Sequence, residues 1–372
     1  MSLFGLKDWN NGEAFAKYNS NIGLLPECNR EYRKNYELHI LNKDTVEICR
    51  DHIIKKYNTL GEWPVFEDGD ILYIKENGLI QILYTKEQAE VDLFITNKCN
   101  SNCIMCPLAE TVRRKKNVGQ LQWIMEYIEL LPENLPYINI TGGEPTLEKE
   151  GLISVLTRLR DKYQHSEFQL LTNGRSLADK IFLSKLIKSM PYNIRVAIPV
   201  HSSYEQIHDQ ITQVKGSFKE TDFGIRNLLD MQQKIELRIV LSKINISTIE
   251  ETVKYIVQNY KGIFVVNFIG MEMMGNAARH RDMLWEEYAD LFQKIRESVY
   301  YLISHGIDTQ LYNFPLCAVD QGYWPIVAKS ITGYKIRYKE ECKNCSVKKI
   351  CGGFFYSTLN LMNPTVRVIE EK

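Results

Sequence analysis

From residue 90 onward, short apolar runs alternate with amphipathic segments, a pattern that predicts repeated βα units around a parallel sheet. Six strands are expected, over residues 91–96, 137–141, 168–172, 194–200, 236–241 and 263–269. Several are almost continuously apolar, as strands covered on both faces should be. The first intervening helix carries Leu121, Ile124, Met125, Ile128 and Leu131 along one stripe. A last long helix is expected over residues 284–303, closing near Gly306.

Ahead of this repeat, residues 68–86 alternate apolar and polar side chains about Glu76-Asn77-Gly78, the pattern of a β-hairpin. The chain therefore reads as an α/β protein of three parts. These are a small N-terminal accessory domain over 1–88, a partial (β/α)6 TIM barrel over 89–310, and a cysteine-bearing tail over 311–372. Parallel barrels carry their functional groups in the loops after the strand C-termini. Five motifs fall there: a three-cysteine loop after the first strand, Gly142-Gly143-Glu144-Pro145 after the second, Asn173-Gly174-Arg175 after the third, His201-Ser202-Ser203 after the fourth, and Gly270-Met271-Glu272 after the sixth. His201, His208 and Asp209 read as packing and capping residues.

Composition changes little. Of 372 residues, 44% are hydrophobic and 25% charged, ordinary for a globular protein without extensive disorder. Forty-six basic residues balance 46 acidic ones, so nothing in the average calls for nucleic acid or an anionic membrane. Arg113-Arg-Lys-Lys116 is a local exception, read as a solvated loop or a landing place for an acidic flavodoxin or ferredoxin. No apolar run reaches membrane-spanning length and the first 20 residues lack a secretory apolar core, so a cytoplasmic protein is expected.

The nine cysteines matter more. Cys28 and Cys49 stand apart and read as buried thiols. The other seven fall in two groups, and in a reducing compartment such groups point to metal ligation or catalysis. Cys99, Cys103 and Cys106 supply three thiolates from one loop, whereas iron-sulfur clusters are normally held by four. A vacant corner invites chemistry, as an open position does at a catalytic zinc. Cys317, Cys342, Cys345 and Cys351 form a full set of four, and their Cys-x2-Cys spacing suits structural zinc and an iron-sulfur cluster alike.

The Cys-x3-Cys-x2-Cys loop followed one βα unit later by Gly142-Gly143-Glu144 resembles the radical S-adenosylmethionine (SAM) superfamily, over roughly residues 90–310. The resemblance implies that Cys99, Cys103 and Cys106 ligate a [4Fe-4S] cluster whose open iron is chelated by the methionyl group of SAM. It implies that Gly142, Gly143 and Glu144 contact the methionyl amine and that Thr172, Asn173 and Arg238 lie toward the ribose and carboxylate. Glu272, placed after the sixth strand, reads as a substrate or cofactor contact or as a solvated carboxylate at the barrel rim. Reductive cleavage of SAM would then give a 5′-deoxyadenosyl radical that removes a hydrogen atom from the substrate. Two positions depart from the usual pattern: Met105 stands where an aromatic side chain normally lies near the adenine, and Ile198-Pro199-Val200-His201 replaces a Ser-Leu-Asp-Gly type of turn.

Set after such a barrel, Cys317, Cys342, Cys345 and Cys351 look like a SPASM/twitch-type domain holding a second, auxiliary [4Fe-4S] cluster. Asp92-Leu-Phe-Ile-Thr96, Leu171-Thr-Asn-Gly-Arg175, Gly270-Met-Glu-Met-Met-Gly275, Tyr312-Asn-Phe-Pro-Leu-Cys317, Lys329-Ser-Ile-Thr332 and Cys351-Gly-Gly-Phe-Phe355 resemble the C-type radical SAM maturases of His-Xaa-Ser peptide systems. That resemblance implies a ribosomally made precursor peptide as substrate, a flavodoxin or ferredoxin as electron donor and a second maturase among the partners, with neither nucleic acid nor membrane. Two rivals stand beside it: a radical SAM enzyme acting on a small molecule or nucleotide, and a zinc-stabilised binding protein with purely structural cysteines.

Overall fold

The computed structural model describes residues 5–9, 11, 13–18, 36–42, 44–50, 53–62, 64–114 and 120–370. Cys28 and the basic pair at 115–116 lie outside them. The chain divides into two compact units, one formed by Met1–Val91 with Gln122–Ile138, the other by Asp92–Leu121 with Asn139–Lys372.

In the first unit the strands are β1 (Gly5–Leu6), β2 (Ala14–Tyr18), β3 (Tyr36–Asn42), β4 (Thr45–Arg50), β5 (Ile53–Leu60), β6 (Ile71–Ile74) and β7 (Ile80–Tyr84). They make one sheet in the order β1-β5-β4-β3-β2-β6-β7, and a bridge between Gly5 and Leu79 ties the first strand to the last hairpin. The hairpin is the one read from Glu76-Asn77-Gly78. Gly78 takes a left-handed φ of 77° and donates its N–H to Lys75 O at 2.8 Å, which lets β6 and β7 pair antiparallel. Leu38, Val46, Ile48, Leu72 and Ile74 form the apolar core. Cys49, read as an isolated buried thiol, is buried but disulfide-bonded.

The second unit carries the expected parallel architecture. Its strands are β8 (Glu90–Phe94), β9 (Tyr137–Thr141), β10 (Glu167–Leu171), β11 (Ile194–Pro199), β12 (Lys234–Val240), β13 (Val265–Ile269), β14 (Asp308–Tyr312) and β15 (Val327–Ala328). They lie in sequential order in one sheet, and every neighbouring pair from β10 to β15 is parallel. This is a partial TIM barrel in which the six anticipated strands are extended by β14 and β15. The boundary expected at residue 310 therefore falls inside β14, and barrel and tail share one unit.

The helices are α1 (Glu110–Arg113), α2 (Gln120–Leu130), α3 (Glu150–Lys162), α4 (Lys180–Ser189), α5 (Glu205–Thr212), α6 (Ser217–Asp230), α7 (Ile249–Asn259), α8 (Asn276–Arg279), α9 (Arg281–Leu284), α10 (Tyr288–Ser304) and α11 (Tyr356–Met362). Helix α10 starts four residues later than expected because α9 ends at Leu284 and Trp285 is extended. A two-stranded ribbon, β16 (Ile336–Arg337) with β17 (Phe354–Phe355), organises the tail. Alternation along the barrel strands gives each one apolar face, such as Ile235, Leu237 and Ile239 of β12, all fully buried. The opposite positions carry Gln169, Arg195, Glu236, Arg238 and Asn267. The space enclosed by the sheet is thus lined with polar groups, where a closed barrel would pack branched apolar side chains.

Candidate active site

The three-cysteine loop leaves β8 at the C-terminal end of the sheet and is seated on the glycine turn after β9. A Cβ on Gly143 would stand 2.2 Å from Lys98 O, and one on Gly142 would stand 2.5 Å from Thr96 O. Without side chains, Gly143 N donates to Thr96 O at 2.6 Å and Glu144 N to Lys98 O at 2.7 Å. The tightest approach of this glycine pair is to the backbone just ahead of Cys99.

Glu144 is 1% exposed. Its Oε1 accepts hydrogen bonds from Thr146 N, Thr146 Oγ1 (2.7 Å) and Thr172 Oγ1 (2.6 Å), and its Oε2 accepts from Asn173 N at 2.6 Å. Burial raises its pKa while these donors oppose the rise. One carboxylate therefore locks the loop after β9 to the loop after β10. That second loop grips the cysteine segment in turn: Asn173 Nδ2 donates to Asn100 Oδ1 at 2.6 Å, and the Arg175 guanidinium donates to Asn100 O and Ser101 Oγ while pairing with Glu220.

The far side of the loop is held from elsewhere in the barrel. Asn276 donates its side-chain N–H to Cys103 O at 3.0 Å and its backbone N–H to Cys106 O at 2.9 Å. The preceding Gly275 has φ +58°, and a Cβ there would sit 2.3 Å from Pro107 O. Asn102 N and Ile104 N donate to Thr212 O and Ile211 O at the end of α5. Arg113, read as part of an exposed basic patch, turns inward to Ser101 O and Asn102 Oδ1. Met105 is buried within the loop. Burial, reinforced by Cys106 and Cys99, pushes the Cys103 thiol up to about 12; burial raises the Cys99 thiol as well.

Other expected site residues have different surroundings. Arg238 faces the barrel interior beside Glu236. Glu272 pairs with Lys335 at 3.4 Å. His201 and His208 are buried with ring centroids 5.1 Å apart, and burial lowers both pKa values, that of His208 to about 3. Asp209 accepts from Gly216 N, Ser217 Oγ and Phe218 N, the capping role anticipated for it. In the tail, Cys317, Cys342, Cys345 and Cys351 line one pocket together with Tyr338 and Phe354. Cys351 Sγ accepts hydrogen bonds from Leu316 N and Gly353 N, each at 3.4 Å.

Residues 93–256, which hold both the cysteine loop and the Gly142-Gly143-Glu144 turn, match the family model of the Radical SAM superfamily. The matched segment runs from β8 into α7, the part of the barrel that carries both motifs. Among curated proteins it is 23% identical over 218 residues to GTP 3',8-cyclase of Clostridium perfringens, covering 57% of this chain and 64% of that protein. It is 24% identical over 164 residues to the sporulation killing factor maturation protein SkfB of Bacillus subtilis, covering 44% and 38%. Among solved structures it is similar to Streptococcus suis SuiB bound to precursor peptide SuiA, with TM-score 0.48, 14% identity and coverage of 61% and 49%. Each match spans less than two thirds of the other protein.

The radical SAM superfamily uses a [4Fe-4S] cluster and SAM, and the donor set here fits such a group. Three closely placed, desolvated thiols are costly to ionise on their own, and metal binding is what releases their protons. Sequence reading singled out the thiols. It missed Asn100, Arg113 and Asn276, and left Arg175 without a role, although these four shape the cysteine loop through contacts up to 173 residues apart in sequence.

Proposed function

We propose that this chain is a radical SAM enzyme that begins the modification of a ribosomally made peptide, of the His-Xaa-Ser type, by hydrogen abstraction. The observation that carries the enzyme reading is the lock between the two motifs of the family match: the turn at Gly142, Gly143 and Glu144 is hydrogen-bonded to the backbone that leads into Cys99. The maturase part draws on the tail motifs quoted above and on the match to a maturation protein.

In this reading Cys99, Cys103 and Cys106 hold the [4Fe-4S] cluster, and the turn with Thr172 and Asn173 faces SAM. When bound, the cluster and SAM together supply a primary carbon radical able to take a hydrogen atom from an unactivated carbon. The chain's own contribution is placement. Glu144, already accepting four hydrogen bonds, fixes the two loops that border the cofactor side, and Oε2, with a single donor, keeps capacity to accept another. Arg175, Arg113 and Asn276 hold the carbonyls of the cysteine loop outward, so the three thiols are set before the group arrives. Buried Met105 offers a polarizable surface where relatives place a ring.

Cys317, Cys342, Cys345 and Cys351 hold the auxiliary [4Fe-4S] cluster in this proposal. They share a pocket with Tyr338 and Phe354. Cys-x2-Cys spacing suits zinc and an iron-sulfur cluster alike. Their position after a barrel that carries a three-cysteine loop favours the cluster over the zinc protein. The two N–H groups on Cys351 suit a sulfur that carries charge.

The match to a GTP 3',8-cyclase favours a second reading, with a nucleotide as substrate. Reduced, reconstituted enzyme incubated with a synthetic peptide bearing His-Xaa-Ser repeats, and separately with GTP, decides between them. Peptide-dependent deoxyadenosine and a peptide mass change are expected, and deoxyadenosine formed with GTP and not with peptide would overturn the peptide reading.

A further inference from the structure

Inside the barrel lies a polar group that neither the cysteine loop nor the glycine turn touches. Glu236 of β12 is fully buried. Its Oε2 accepts from Gln169 at 2.7 Å, and it stands 3.7 Å from Arg195 and 3.8 Å from Arg238, ion pairs too long to be hydrogen bonds. Its Oε1 has no hydrogen-bond partner, and neither the amide nitrogen nor the amide oxygen of Asn267, 1% exposed, has one. Arg238 and Asn267 are in register on adjacent strands, and Arg238 lies 6.0 Å from the centroid of the Tyr312 ring.

Each such buried orphan has lost its hydrogen bonds to water without replacement. A layer holding three of them marks a place that a ligand completes. The unused capacity defines that ligand. Two guanidiniums face one carboxylate, leaving a positive charge for an anionic oxygen, and Asn267 Nδ2 adds a donor. Asn267 Oδ1 and Glu236 Oε1 are spare acceptors for an N–H close to that anion. Of the other carboxylates that share this face of the sheet, Asp308 of β14 is exposed, and Asp92 of β8, four strands away, is engaged by Asn139 at 2.9 Å.

We infer that Arg238, Asn267 and Tyr312, backed by Glu236, form a site inside the barrel that binds the carboxylate of an acidic residue of the substrate peptide, together with its neighbouring amide N–H. Arg238 is in register with Pro199, the last residue of β11, and Asn267 with Gln310 of β14, two residues before that strand ends. Asn267 and Tyr312 are not among the residues that face SAM in the reading above. The inference rests on the peptide reading above.

Calorimetric titration of the SAM-loaded holoenzyme with N-acetyl-aspartate N-methylamide, and with its asparagine counterpart, tests it without turnover. The aspartyl probe is expected to bind at least about tenfold tighter than the asparaginyl one. R238Q and N267A are each expected to weaken it about tenfold or more, while N267A leaves SAM affinity within about twofold. Circular dichroism and iron content confirm that the variants are folded, and N267S serves if N267A is not. Equal binding of the two probes, no binding, or loss of SAM affinity in N267A in place of probe affinity would each overturn the site. A failed peptide reading is seen separately, as absent peptide-dependent deoxyadenosine from an enzyme that still binds the aspartyl probe.

Discussion

The hydroxyl of Thr172 donates to the carboxylate of Glu144 across 2.6 Å, joining loops that follow neighbouring strands. Three further donors converge on the same buried carboxylate, so it behaves as a fastener as much as a ligand.

Replacing Glu144 by Gln turns one acceptor into a donor that must face either Asn173 N–H or the threonine hydroxyls. The mismatch should cost about 1–3 kcal/mol, read as a lower midpoint in chemical denaturation. Glu144→Asp, one methylene shorter, should also weaken the network. Either variant matching wild type would show that the four bonds contribute nothing net.

Gly143→Ala places a methyl group against Lys98 O and Asn97 O, which are backbone and cannot swing aside. The cysteine loop must shift, and reconstituted iron should fall from about eight to about four atoms per chain, the tail site remaining. Gly322→Ala is the control, since a Cβ there meets nothing within 4 Å. Equal iron in the two variants would mean that the seating of the loop is unimportant.

Alanine at Cys99, Cys103 and Cys106 together should abolish SAM cleavage and leave about four irons per chain, whereas alanine at Cys317, Cys342, Cys345 and Cys351 should remove the other four. Iron analysis and Mössbauer spectra of the two variants check this. Zinc in place of iron at the tail would overturn the auxiliary-cluster proposal.

His201 and His208 are both held neutral by burial, with pKa values below the ordinary 6.5 and that of His208 near 3. The unfolded chain therefore binds more protons than the folded one below about pH 6.5. Their stabilising share is fully present above that pH and declines as pH falls toward about 3, by at most ~1.4 kcal/mol per pH unit for each histidine. Denaturation midpoints measured from pH 7 to pH 4 should show a slope that H208Q reduces. An unchanged slope would place the acid sensitivity elsewhere.

The six strands β8 to β13 were legible because short apolar-rich runs alternate there with amphipathic segments, and β9 matches its expected span residue for residue. Strands β14 and β15 were not. Asp308–Tyr312 is short and mostly polar, and Val327–Ala328 has two residues, so both owe their conformation to pairing with an existing edge. The cysteine spacing announced its loop, but not what shapes it. Asn276 is an unremarkable Asn until the barrel brings it to Cys103, and nothing local in the glycine pair shows that its tightest neighbours are Thr96 and Lys98. Local patterns carry local chemistry; partners brought together by topology leave no local trace.

The clasp of Asn276 on Cys103 and Cys106 also sets an order of events in the life of the chain. During synthesis the three cysteines emerge some 170 residues before the side chain that closes over their loop. Until β13 is in place, the loop lacks one wall and the thiols lack their final spacing. Iron delivered to the nascent chain would meet a flexible trio of cysteines. In the proposed enzyme, iron delivered after the barrel has closed would meet a loop already shaped by its distant partner, so cluster assembly would follow folding.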